Sequence, residues 1–227
     1  MVEVSQTSSA LTDRQQAWPA PPPNLDVQRF PARTVPVGRT LYRVHPVDKG
    51  CWHFPCISGS RSGRFDTSGP ERGTCYTATD PLTALAEKLG YAVLRGPDIA
   101  PNALDGLSVS SITTARPYWV VDLTRRTCSI LGALGRELST LTPYTTPQGW
   151  ARLWEQAGFD GVLYYPRHDA KTTARSIALF GPVEGLREDD WPTPPMASAG
   201  DYFDSFARAY GLRPKVPGSE AIVRPPS

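Results

Sequence analysis

The chain lacks any apolar run approaching the roughly 20 residues needed to span a bilayer, and its amino terminus, MVEVSQTSSALTDRQQ, lacks the basic start and apolar stretch of an export signal. A cytoplasmic protein with no membrane partner is the expectation. Net charge is small, +2 from 24 basic and 22 acidic residues, and no run of Lys and Arg forms a stripe for a phosphate backbone, which argues against nucleic acid as a partner. Cysteine is scarce: Cys51, Cys56, Cys75 and Cys128 read as thiols, since nothing points to export. Cys51, His53 and Cys56 could offer three zinc ligands, but no matching Cys or His pair supplies a fourth, and no metal is expected. Internal repeats are missing, and so are the GxGxxG, P-loop, GxSxG and HExxH patterns. Rossmann, kinase-like and serine hydrolase readings therefore have no anchor.

Proline is what the chain has in excess. There are 24 in 227 residues, about twice average usage, and they cluster toward both ends. The segment 1–36, with its WPAPPPN, reads as an extended arm, 37–182 as a single α+β domain with a compact mixed sheet, and 183–227 as a C-terminal extension with one helix. RTLYRVHPV suits a strand with Tyr42 and Val44 on one face and Leu41, Arg43 and His45 on the other. A long loop rich in Gly, Ser and Pro follows, around GSRSGRFDTSGPERG, and loops of that length in a compact domain tend to carry function. TCYTA suits a short strand. Asp80 and Pro81 then start a helix, Leu82, Leu85 and Leu89 form its buried stripe, and Gly90 is the expected stop. Further on, PYWVVDL reads as a buried strand, a helix falls near Ile130 to Leu138, and another is capped by Thr146 with Trp150, Leu153, Trp154 and Ala157 on one face. GVLYY and SIALF read as a hairpin with a long connection. Tyr202 to Tyr210 reads as a helix packed back on the domain.

Polar residues collect at the edges of these elements: Arg43, Arg64, Tyr76, Glu87 and the run Arg167-His168-Asp169. Guanidinium groups engage phosphate oxygens through paired donors, a tyrosine offers a stacking face, and one carboxylate beside a sugar can stabilise an oxocarbenium-like transition state. Periodicity alone makes Glu87 a solvated acid beside Lys88, its place off the leucine stripe being the only hint of a cleft. His168 and Asp169 equally suit a pair that orders its turn, and Arg167 a surface cation.

The order of LYRV, SGRFD, GTCYTATDPLTALAE, YWVVDL, PQGWARLWEQAGFDGVLYYPRHD and SIALF, spanning about Val37 to Pro182, resembles the RES family. That resemblance implies a fold related to ADP-ribosyltransferases and cleavage of the nicotinamide–ribose bond of NAD, by hydrolysis or phosphorolysis, with NAD as substrate. It implies a toxin with a partner antitoxin, and a homodimer is compatible with it. By motif position it makes Glu87, Arg64 and Tyr76 the catalytic set, with Glu87 at the nicotinamide ribose. Arg43, Arg64, Tyr76, Arg167 and His168 become the dinucleotide contacts. The chain departs from the family at YYPRHD, where Pro166 stands in place of a serine. The lost hydroxyl would have to come from a neighbour such as Tyr165, Thr172 or Ser176. Two other readings share the pocket: ADP-ribosyl transfer to a protein or small acceptor, and a member that binds a nucleotide without cleaving it or serves as an interaction module.

Overall fold

The computed structural model describes residues 20–22, 24–55, 63–67, 71–94, 96–133, 135–169, 171–183 and 194–215. Their alternating apolar segments build one sheet from β1 (Ala32–Val35), β2 (Thr40–Pro46), β3 (Arg72–Ala78), β5 (Leu107–Thr113), β6 (Tyr118–Asp122), β7 (Gly161–Tyr164), β8 (Ser176–Pro182) and β9 (Met196–Ser198). A separate two-residue strand, β4 (Asp98–Ile99), pairs with β10 (Arg213–Pro214). The sheet order is β1-β6-β7-β8-β3-β2-β5-β9. Every neighbouring pair is antiparallel except β6 and β7. That parallel pair needs a crossover, which is supplied by α2 (Gly135–Leu138) and α3 (Thr145–Gln156). The result is an α+β fold with a large mixed sheet, as the sequence led one to expect.

Helices cover one face of the sheet. Trp150 and Trp154 of α3 are fully buried there with Val121, Val162, Tyr164 and Phe180. Farther along, α1 (Pro81–Leu94) and α4 (Phe203–Tyr210) pack on Tyr42, Val44 and Val109. On the opposite face Leu41, Cys75, Ile112, Val120, Leu163, Ile177 and Leu179 are sealed by Trp52 and Phe54 of the loop after β2. Strand alternation sends Tyr42 and Arg43 to opposite faces, so each residue of β2 and β3 belongs to one of two separate environments.

Several boundaries differ from the sequence expectation. Residues 30–35 are not an arm: β1 pairs with β6, and Phe30 lies edge-on to both Trp150 and Trp154 with centroids 5.6 Å away. The far boundary at 182 also gives way, because β9 pairs with β5 and Phe206 of α4 is fully buried against the α1 layer. Asp80 caps α1 as expected, its Oδ1 accepting from the backbone N–H groups of Leu82 (2.9 Å) and Thr83 (3.2 Å). Gly90 does not stop that helix, which runs on to Leu94. The segment near Ile130 to Leu138 divides into a 3-10 turn, Arg126–Leu131, and the short α2. Thr146 is inside α3 rather than its cap.

Candidate functional site

The site is built around the turn 63–66, GRFD. Tyr76 reaches out of β3 with its hydroxyl, which accepts from the Phe65 N–H (2.8 Å) and donates to Asp66 Oδ1 (2.8 Å). The other Asp66 oxygen accepts from the Gly63 N–H (2.6 Å), and Gln148 Nε2 of α3 donates to the Gly63 carbonyl (2.9 Å). Thr74 Oγ1 donates to the Phe65 carbonyl (3.0 Å). A Cβ on Gly63 would stand 2.4 Å from the Tyr76 oxygen, so only glycine closes the turn so tightly. Burial raises Asp66 above the usual carboxylate range, with the Gly63 and Tyr76 donors opposing it. Burial and the Asp66 charge raise Tyr76 well above an ordinary phenol. Tyr76 thus stays a neutral hydrogen-bonding strut.

What the turn presents is Arg64. Its side chain is buried, its guanidinium lies 5.0 Å from the Tyr144 ring centroid, and its Nε is buried without a hydrogen-bond partner. Among the described residues it forms no salt bridge. A buried cation with an unsatisfied donor carries a free-energy cost that a bound anion would relieve.

Glu87 of α1 lies within electrostatic reach of this cation. Half-buried rather than solvated, its Oε1 accepts from the His168 backbone N–H at 2.9 Å. Burial raises its pKa, opposed by the His168 N–H, by Arg64 and by Arg167. The turn after β7 is held against α1 by two further contacts. Thr83 Oγ1 donates to Asp169 Oδ2 (2.5 Å), and the His168 ring lies so close to Gly90 that a Cβ there would be 2.4 Å from Nε2. Gly90 is therefore a docking position for His168. His168 is lowered by burial and by Arg167 and Arg64, which keeps the ring neutral around pH 7. His168 and Asp169 do not pair with each other in ordering the turn: Asp169 holds Thr83 and the Lys171 N–H, and Tyr210 of α4 shares its carboxylate.

Tyr164 completes the wall. Burial first, and then the Glu87 charge, raise its hydroxyl far above the ordinary phenol value, with Arg64 opposing. Arg64, Tyr76, Glu87, Arg167 and His168 are therefore brought together. Tyr144 and Tyr164, which sequence reasoning missed, join them. Tyr144 sits in the turn-forming TPYTTP and Tyr164 in an apolar strand, so neither had a local signal beyond being aromatic.

Arg43 is not brought to this group. It projects to the other face of the sheet, where one guanidinium nitrogen donates to the Cys51 carbonyl (2.6 Å) and lies 2.8 Å from Cys75 Sγ. The reason is register: Tyr42 opposite Ala78 puts Tyr42, Tyr76 and Ala78 on the helical face and leaves Arg43 with Cys75 on the other. The Tyr76 hydroxyl is spent within the turn, so only its ring is left to meet a ligand. Pro166 is buried, and Ser176, one of the neighbours named as a hydroxyl source, lies in the wall beside Tyr164. Of the cysteine cluster, Cys51 is half-buried and Cys56 lies outside the described residues. Among the described residues no three metal-binding side chains come together, and no helix is long and apolar enough to cross a membrane.

A mixed sheet with helices on one face and an Arg–Tyr–Glu wall on that face defines the class of domain. The RES domain model matches residues 40–197, and the chain belongs to that family. Its structure is similar to a chain in the crystal structure of the M. tuberculosis MbcT–MbcA toxin–antitoxin complex, with TM-score 0.60 and 13% identity, covering 77% of this chain and 92% of that one. No curated protein sequence matches it.

Proposed function

We propose that the chain cleaves the nicotinamide–ribose bond of NAD, using Glu87 as an ionised carboxylate against the developing cation at the ribose. The observation that carries this reading is the meeting of Glu87 with the incompletely satisfied Arg64 in one half-buried wall. Arg64 and Arg167 are suited to the diphosphate, since each offers several donors and neither forms a salt bridge among the described residues. Nicotinamide leaves with the electron pair of the C–N bond, which neutralises its ring, so no strong general acid is needed. The cationic ribose carbon is then captured by an oxygen of water or phosphate. The His168 N–H and the Asp169–Thr83 contact position the carboxylate. Likeness to a toxin–antitoxin structure supports a toxin role and a protein partner that blocks the site.

The test is incubation of the purified protein with NAD, with and without phosphate, followed by mass analysis. Free nicotinamide with ADP-ribose indicates hydrolysis, and a phosphorylated ADP-ribose indicates phosphorolysis. Intact NAD in both arms would overturn the proposal. Pro166 favours a second reading, binding without cleavage. Calorimetric binding of NAD without nicotinamide release would select it, and appearance of turnover in Pro166→Ser would trace the loss to the missing hydroxyl.

A further inference from the structure

A separate cavity lies beyond Tyr165, at the ends of the parallel strands β6 and β7. Its volume is about 570 Å³, within the range of small-molecule sites (about 300–1,000 Å³). Its walls include Thr124, Arg125, Arg126, Arg136, Glu137 and Tyr165. Three arginines and one glutamate share this lining, and the arginines are not equivalent. Arg125 Nε is committed to the buried Asp122 at 3.3 Å. Arg136 lies over one side of the Tyr165 ring, 4.5 Å from its centroid, while Arg175 is at the same distance from that ring. The exposed Arg126 side chain makes no hydrogen bond or ion pair among the described residues. In the same wall Glu137 Oε2 is buried without a hydrogen-bond partner.

We propose that this cavity binds a small phosphate ester that carries a hydroxyl beside its phosphate, as in a pentose phosphate or a nucleoside monophosphate. Arg126 and Arg136 take the phosphate oxygens through paired donors, and the Glu137 carboxylate accepts from the hydroxyl. The mixture of cations with one acceptor is what separates this ligand from a bare anion. Inorganic phosphate would engage the arginines and leave Glu137 unsatisfied, whereas a sugar phosphate answers both. Tyr165 follows Tyr164 directly in the chain and precedes the turn that holds Glu87, so the cavity adjoins the first site without including its residues. A phosphate ester would be held there whether or not NAD is the substrate of the first site.

The test is calorimetric titration of the full-length protein with ribose 5-phosphate, inorganic phosphate and ribose. Ribose 5-phosphate is expected to bind more tightly than either of the others. Arg126→Ala, which removes a side chain with no partner, is expected to weaken it by about tenfold or more, as loss of a charge-assisted contact implies. Glu137→Ala, which removes the acceptor, is expected to bring ribose 5-phosphate down toward the affinity of phosphate while leaving phosphate binding in place, a split that mere destabilisation would not produce. Arg64→Ala is the control for ligand taken at the first site, and the Arg126-dependent part of ribose 5-phosphate binding is expected to survive it. Undiminished binding in Arg126→Ala, loss confined to Arg64→Ala, or no ribose 5-phosphate binding at millimolar concentration would each overturn the assignment. Binding of poly-glutamate through Arg126 without ribose 5-phosphate binding would overturn it in favour of an acidic protein segment.

Discussion

The two faces of the central strands hold two arginines that are alike in sequence and unlike in circumstance. Arg43 and Arg64 are both about 8% exposed. Arg43 has a carbonyl and a thiol within hydrogen-bond distance and sits among the apolar residues beneath Trp52 and Phe54. Arg64 has a buried nitrogen with no partner and faces Tyr144 on the side where Glu87 lies. Burial alone therefore does not distinguish an arginine that holds the fold from one poised for a ligand. The unsatisfied donor and the company of an acid do.

The contrast breaks most sharply at Glu87. Glu87→Gln keeps an oxygen to accept the His168 N–H but removes the charge, so nicotinamide release from NAD should fall by about 10²-fold or more. The same variant should be more stable than the parent. Burial places the folded-state pKa of Glu87 above its unfolded value, so its stabilising contribution is present below the unfolded pKa and lost as pH rises through the folded one. At neutral pH the native state thus carries the penalty of a partly buried charge that Gln does not have. Thermal melts should show a higher Tm for Glu87→Gln at pH 7 and a smaller difference near pH 4. In the parent, the acidic limb of the rate profile should lie above that of a free carboxylate. Wild-type turnover in the variant would remove Glu87 from the mechanism.

Next in size is Arg64→Ala, expected to reduce kcat/KM for NAD by about 10²-fold. Arg64→Lys should recover only part of this, because an ammonium keeps the charge and loses the fork. Full activity in the lysine variant would show that Arg64 acts through charge alone.

Tyr76→Phe should have a smaller effect on rate and a larger one on stability. It leaves the Phe65 N–H and Asp66 Oδ1 without their shared partner, at a cost of about 1–3 kcal/mol for each unsatisfied buried group. Each kcal/mol lowers Tm by about 2–4 °C in a chain of this size. An unchanged melting temperature with lost turnover would instead make the phenol a ligand contact.

These residues show what could and could not be read from the sequence. The Asp80–Pro81 start and the leucine stripe were legible because capping and helical period are local properties. The α+β class and the grouping of Arg64, Glu87, Arg167 and His168 followed from motif order. Gly90 misled, because its role comes from the His168 ring, 78 residues away in the chain (168 − 90). The strand β5 was missed because its core-facing serines hide the alternation: Ser108 and Ser110 are buried, and His45 Nε2 lies 2.8 Å from Ser110 Oγ. The strand β1 was hidden by the proline-rich stretch before it, and only its pairing with β6 reveals it.

Arg43 gives the smallest expected effect and the finest test of the comparison. Arg43→Met keeps length and apolar bulk while removing a buried charge, a replacement that is often neutral or stabilising, here offset by the stranded Cys51 carbonyl. The net change in stability should be within about 1 kcal/mol. Because the guanidinium points away from the helical face, KM for NAD should stay at the parent value, whereas Arg64→Lys should raise it. A matching rise in KM for both variants, in protein that melts normally, would mean that the ligand reaches around the sheet to the face of Cys51 and Cys75. In that case the unsatisfied donor would no longer serve to tell the two arginines apart.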